Sequence, residues 1–213
     1  QHVLGGLDAH VAFGFGQPTG LGLPGESAGL LGSAESWDGR TKYAVMFGQG
    51  LSATALQAVQ VFATIANEGI RVAPSIVAGT TSSGGVYTPV DPPVQTQVIS
   101  EETAQTVLTM LESVVDEGTG ALANVPGYRI AGKTGTAQVA GVGGGLSHIV
   151  GSFIGVAPAE DPQIAVGVFL MDAAGIWGGV TAAPVFSDIT AFTLAKLAVP
   201  PSSTAPTLFS IYY

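Results

Sequence analysis

The sequence predicts an α+β domain in which helices cover an antiparallel sheet. Two amphipathic helical patterns lie in the first half. Three apolar and β-branched runs joined by short polar turns follow residue 127, and a further helical pattern comes near the end of the chain. Helices, then a strand meander, then a covering helix is the order of an α+β arrangement rather than of alternating βα units. A chain of 213 residues that is 46% apolar and 10% charged can bury a core and is not disordered. A formal charge of −9, with six Lys and Arg and no basic run, argues against a nucleic-acid partner. Cysteine is absent and no HxxxH or HxH cluster occurs, so no disulfide framework, metal site or cofactor is expected. The longest apolar run, "IAVGVFLM" at 164–171, is far shorter than the roughly 20 residues of a membrane span.

The chain opens on Gln1 rather than Met, and its first residues read as the closing turns of a helix before a Gly-Pro loop. Residues 14–50 are rich in Gly, Pro and Ser, with "LPGES" as a turn signal. Thr54 followed by Gln57 makes a capping box. Leu56, Val59, Val61, Phe62, Ile65 and Ala66 then form an apolar face, and Gly69 supplies the stop. Segments 71–79 and 86–99 read as extended, joined by "TTSSGG". A second helix begins after Ser100, with Glu101 and Glu102 suited to the positive end of its dipole. Its buried stripe is expected at Val107, Leu108, Leu111, Val114 and Val115, ending near Gly118. Strands are expected at 128–139, 147–157 and 163–171, joined by "AGVGGGL" and "PAEDP". A final helix fits 181–197, anchored by Phe186, Ile189, Phe192, Leu194 and Leu197. The stretch "PPSSTAP" after it is linker-like.

The first of the three strands holds "RIAGKTGTAQV" at 129–139, where Lys133 stands between Gly132 and Thr134-Gly135. Glycine inside a strand marks a bulge or a close backbone approach, and a lysine there must snorkel, pair or act. On the residues alone three readings of Lys133 compete. It can be a solvated edge lysine that discourages aggregation. It can belong to a phosphate loop, since "GYRIAGKT" at 127–134 fits GxxxxGK[ST]. Tyr128, Arg129 and Ile130 read as strand, however, and no helix opens after Thr134. The third reading is the K-T-G element of serine penicillin-recognising enzymes.

The third reading extends far beyond one tripeptide. "GFGQPTGLGLPGESAGLL", "GQGLSATALQAVQVFATIANEG", "ISEETAQTVLTMLESVVDEGTG", "PGYRIAGKTGTAQ" and "GGVTAAPVF" follow one another in this chain. In order and spacing they resemble the C-terminal part of the transpeptidase domain of a class B penicillin-binding protein, of the division type. The resemblance covers residues 1–200 as that portion and leaves 201–213 as a tail. It implies the β-lactamase-like fold of these enzymes and peptidoglycan cross-linking by serine acyl transfer on D-Ala-D-Ala stem peptides. Lys133 and Thr136 are then the catalytic candidates, the Thr136 N–H being one half of an oxyanion hole. Thr134, Gly135, Thr136 and Trp177 are the substrate-binding candidates, with Ile176 beside them. The threonine hydroxyls would receive a carboxylate, Gly135 would let a ligand lie along the strand, and Lys133 would add a positive field. Simple alternation, however, puts Lys133 and Thr134 on opposite faces. His148 is expected at the surface without a role.

The resemblance also names what the chain lacks. Lys42, Lys133 and Lys196 are preceded three positions earlier by Gly39, Ile130 and Thr193, so no S-x-x-K occurs. Asn67 and Asn124 follow Ile65 and Leu122 by two positions, so no S-x-N occurs either. The nucleophile is therefore expected upstream, on a half of the protein that also carries a membrane-anchoring helix. That would place the domain on the outer face of a bacterial cytoplasmic membrane. Expected partners are that half, stem peptides, β-lactams and division proteins. The chain alone should be inactive. A D,D-carboxypeptidase or β-lactamase on the same fold, or a non-catalytic β-lactam sensor or scaffold, are the alternatives.

Overall fold

The structure is a computed structural model that describes residues 8–45, 48–140, 146–173, 177–206 and 208–209. His2, Ile176 and most of the "AGVGGGL" tip lie outside the described residues. Contacts divide the chain into two compact units, Gln1–Gln57 with Ile70–Val98, and Ala58–Gly69 with Ile99–Tyr213.

In the first unit a helical turn at 8–12 leads into a loop that ends at helix α1 (Ala55–Ala66). The expected capping box forms: Thr54 N–H donates to Gln57 Oε1 at 2.8 Å and Gln57 N–H to Thr54 Oγ1 at 3.1 Å. The Gln57 side chain does more than cap. It is 1% exposed, and its Nε2 reaches the carbonyls of Gly14, Gln17 and Ala28 at 3.2, 2.9 and 3.0 Å. One amide thus satisfies buried backbone from three points of the loop. The deepest positions of α1 are Gln57, Gln60, Thr64 and Ile65, so a largely polar row is buried beside the apolar one the sequence suggests.

The stretch between the units' helices is extended, as expected, but not as one long hairpin. Strands β1 (Ile70–Val72) and β4 (Gln95–Gln97) pair antiparallel, and so do β2 (Gly79–Thr81) and β3 (Tyr87–Pro89). Between the two ladders stand Pro74 on one side and Pro92 and Pro93 on the other. Proline has no N–H to give, so pairing stops there.

The second unit holds the sheet β5 (Ala131–Ala140), β6 (Leu146–Ala157) and β7 (Ile164–Met171), antiparallel and in that order. Strand β5 starts at Ala131 rather than at residue 128. Tyr128 closes a turn on Val125, and its hydroxyl donates to Val199 O at 2.7 Å. Side-chain alternation gives the sheet two faces. One packs Phe153 and Val168 with Phe186 and Leu194 of helix α3 (Gly178–Lys196), the two phenyl rings 4.7 Å apart. The other packs Ala131 and Val156 with Ile65 of α1 and Leu108 of helix α2 (Glu101–Asp116).

Helix α2 is capped by Ser100, whose hydroxyl accepts from Thr103 N–H at 3.2 Å, and buries Leu108 and Val115 as expected. It also buries Glu112, which takes Arg129 in a bidentate pair, Nε to Oε1 and Nη2 to Oε2, both 2.7 Å. That hydrogen bond, against partial burial, raises the Arg129 guanidinium above its ordinary value. Helix α3 departs from its expected anchors. Phe186 and Leu194 are buried with Ala182 and Thr190 between and before them, whereas Ile189, Phe192 and Leu197 are exposed. A four-residue spacing from Ala182 defines the buried row, and those three side chains lie off it. Residues after the helix are hydrogen-bonded to the rest of the unit. Ser202 N–H donates to Gly127 O at 2.9 Å, Arg129 N–H to Ser202 Oγ at 2.9 Å, and Phe209 N–H to Ser113 Oγ at 2.8 Å.

Candidate functional site

Among the described residues, strand β5 is an edge of its sheet, paired to β6 on one side. Its register sets Lys133 opposite Ile154, Thr134 opposite Phe153, Gly135 opposite Ser152 and Thr136 opposite Gly151. The Lys133 ammonium lies 3.1 Å from Thr134 O and 3.1 Å from Thr134 Oγ1. The Thr134 carbonyl is therefore turned to the free edge, and the lysine reaches around that edge to the opposite face. Alternation in the primary strand is thus overcome by the length of the lysine stem. In an antiparallel ladder inward- and outward-facing residues alternate, so Thr136 turns its N–H to the same free edge.

The glycines explain what approaches this backbone. Side-chain carbons added at Gly132, Gly151 and Gly155 would lie 2.6 Å from the Phe153 ring, 2.8 Å from Thr181 Oγ1 and 2.9 Å from the Phe186 ring. At Gly178, the first residue of α3, such a carbon would be 2.3 Å from the carbonyls of both Gly135 and Ser152. Glycine on both sides lets the start of α3 sit directly on the strands. The space left by Gly135 itself is taken by Ser152 Oγ, which would be 2.4 Å from an added carbon.

These elements enclose a cavity of about 550 Å³. It is lined by Lys133, Thr134, Gly135 and Thr136 from β5, by Trp177 to Val180 at the start of α3, and by Thr119, Ala121 and Leu122. The sequence-derived candidates Lys133, Thr134, Gly135, Thr136 and Trp177 meet there, while Ile176 lies outside the described residues. Trp177 is 63% exposed at the N-cap of α3. Thr119 had no signal in the sequence; its hydroxyl oxygen lies 3.0 Å from Thr134 Oγ1. Among the described lining residues Lys133 alone is charged. A cation, two threonine hydroxyls and the amide end of a 19-residue helix make the cavity suited to an anion, despite the chain's net charge of −9. His148, by contrast, is engaged at the other end of the strands. Its Nδ1 bonds Asp172, and this bond, together with one from Ile149 N–H, holds the Asp172 carboxyl below its ordinary value.

The chain is similar to known proteins in sequence and in fold. The model of the penicillin binding protein transpeptidase domain matches residues 8–191. Penicillin-binding protein PbpB of Mycolicibacterium smegmatis is 42% identical over 202 residues, 88% of this chain and 31% of its own length. Peptidoglycan D,D-transpeptidase FtsI of Escherichia coli is 38% identical over 202 residues, 92% of this chain and 32% of that protein. The chain thus spans about a third of the length of these curated relatives. Among solved structures, a peptidoglycan synthetase from Bifidobacterium adolescentis superposes with a TM-score of 0.91 at 36% identity, covering 99% of this chain and 39% of that one. Penicillin-binding protein 3 of Mycobacterium tuberculosis, complexed with ampicillin, gives 0.87 at 39% identity over 96% of this chain and 49% of that one. With most of its length matched and its edge strand carrying Lys133-Thr134-Gly135, the chain belongs to the penicillin-binding protein transpeptidase family, as a portion of a transpeptidase domain like those of the class B proteins.

Proposed function

We propose that this chain supplies the substrate-binding strand and cavity of a peptidoglycan D,D-transpeptidase. The carrying observation is the convergence of Lys133, Thr134, Thr136 and the α3 N-terminus on one cavity along a free strand edge. A stem peptide ending in D-Ala-D-Ala lies along that edge as an added strand, its terminal carboxylate between the hydroxyls of Thr134 and Thr136 and the Lys133 ammonium. The nucleophilic serine, with S-x-x-K and S-x-N, comes from the upstream half of the protein. Its Oγ attacks the carbonyl of the penultimate D-Ala, and D-Ala leaves as the amine. An acceptor amine then attacks the ester, forming the cross-link and freeing the serine. The Thr136 N–H, aimed outward from β5, stabilises the oxyanion in both steps. Trp177 walls the cavity.

β-Lactams acylate the same serine, a reading supported by the ampicillin and aztreonam complexes of the M. tuberculosis relative. No described helix is long and apolar enough to cross a membrane, and the upstream half is assigned the anchor that holds the domain on the outer face. Division proteins are the expected partners. The test is denaturing mass spectrometry of the complete protein before and after benzylpenicillin. An antibiotic-sized mass increase on a serine upstream of Gln1 supports acyl transfer, and no increase removes it. Slow release favours the transpeptidase or a sensor, and rapid hydrolysis a β-lactamase. Transfer of a stem peptide to an amine or to water then separates transpeptidase from carboxypeptidase, and transfer to neither leaves the sensor.

A further inference from the structure

Thr119 is exposed and lies between two glycines after α2, where the packing leaves little room around the backbone that carries it. Gly120 N–H donates to Val114 O at 2.9 Å, and carbons added at Gly118 and Gly120 would lie 2.9 and 3.0 Å from that carbonyl oxygen. From the other side, a carbon added at Gly179 would be 2.5 Å from Thr119 O and 3.2 Å from the Thr134 methyl. The Thr119 backbone is therefore held between the last turn of α2 and the first turn of α3, with its exposed hydroxyl oxygen 3.0 Å from Thr134 Oγ1.

Proton counting leaves this contact two directions. An ammonium can only donate, and a hydroxyl has one proton and two lone pairs. Lys133 donates to Thr134 Oγ1, which leaves Thr134 its own proton and one lone pair, so it can give a proton to Thr119 Oγ1 or accept one from it. A ligand carboxylate arriving in the cavity demands that proton. Thr119 can then rotate its hydroxyl and become the second donor to Thr134. Thr134 would accept from Lys133 and Thr119 while donating to the ligand, every valence filled.

We infer that Thr119 is a positioning residue for carboxylate binding, a reversible hydrogen-bond partner that frees the Thr134 proton for the ligand. The inference rests on the transpeptidase reading of the cavity. Because the carboxylate is held equally before and during acylation, losing this support should weaken binding without slowing the chemical step.

The experiment is saturation kinetics of acylation of the complete protein by benzylpenicillin. It compares wild type, Thr119→Val, Thr119→Ser, Thr134→Val and the double variant Thr119→Val/Thr134→Val. The expected result for Thr119→Val is a saturation constant raised about three- to tenfold with an unchanged limiting acylation rate. Thr119→Ser should restore the wild-type constant, and the double variant should be no worse than Thr134→Val alone. A saturation constant unmoved in a Thr119→Val protein that melts like wild type overturns the inference alone. So do failure of serine to rescue and strict additivity in the double variant. If Thr119→Val melts early, Thr119→Ala serves the same comparison. No acylation of the wild-type protein at all overturns the functional reading and this inference together.

Discussion

Arg129 and Lys133 sit in one short stretch of chain and are used in opposite ways. The arginine is locked: its fork meets a carboxylate that is 5% exposed, with two 2.7 Å bonds, and its third nitrogen reaches Thr204 Oγ1 at 3.0 Å. The lysine is exposed, and its bonds are two 3.1 Å contacts to the neighbouring threonine. A cation whose charge is matched inside the fold ties elements together and has nothing left to offer a ligand. A cation held only by neutral oxygens keeps its field available. The partner each charge is given thus separates a structural cation from an available one, although both residues belong to the same motif-bearing segment.

The largest expected effect breaks the locked side. Glu112→Ala leaves a largely buried guanidinium without its partner, and removal of one member of a buried pair costs about 3–5 kcal/mol. Some solvent access at Arg129 and the nearby Glu160, 3.9 Å away, place the expectation at about 3 kcal/mol. Urea unfolding of the complete protein reads it, and acylation by benzylpenicillin below the transition should stay at its wild-type rate. A loss below about 1 kcal/mol, the range of surface pairs, would show that the pair is not structural.

Next comes the backbone beside the free lysine. Proline is tolerated on an edge strand where the lost N–H faces outward. Thr136→Pro should therefore leave the ladder to β6 intact and lower acylation about 100- to 1,000-fold, the usual cost of one oxyanion donor. Unchanged acylation in a folded Thr136→Pro protein would remove the oxyanion role.

Lys133→Ala probes the free cation itself. Loss of a hydrogen bond to a charged group costs about 1.5–3 kcal/mol, or roughly ten- to a hundredfold in acylation efficiency. The melting temperature should not fall, because the side chain is exposed and pairs with no carboxylate among the described residues. A stability loss comparable to that of Glu112→Ala would erase the distinction between the two cations.

The sequence showed one side of this comparison and hid the other. Lys133-Thr134-Gly135-Thr136 is contiguous, so motif and strand could be read together. Glu112 and Arg129 are far apart along the chain, and nothing local marks Glu112 as buried, because helix periodicity counts it as polar. The same holds for Thr119, whose value comes from Thr134 on another element, and for Gln57, whose capping role is local but whose three loop carbonyls are not. Periodicity also misjudged α3. It can say that Phe186, Ile189, Phe192 and Leu194 are apolar, but only the glycine-lined strand face decides which of them are covered.

The smallest effect concerns a third charged contact, half-way between the two extremes. Asp172 and His148 are both exposed, yet the carboxylate accepts from the imidazole and from Ile149 N–H. Its carboxyl is held below the ordinary value, first by the His148 hydrogen bond and then by the backbone one, against slight desolvation. A lowered folded value means that the contribution is fully present above the unfolded value near 3.9 and is lost as pH falls through the folded one. Wild-type protein should accordingly lose stability more steeply below about pH 4 than Asp172→Asn, the two urea midpoints converging at the acid end. At neutral pH the asparagine protein should be slightly the weaker, since it keeps an acceptor for Ile149 but no charge for the imidazole. Parallel midpoints from pH 3 to 7 would mean that the clip holds no charge-dependent energy, leaving Arg129–Glu112 as the unit's stabilising ion pair.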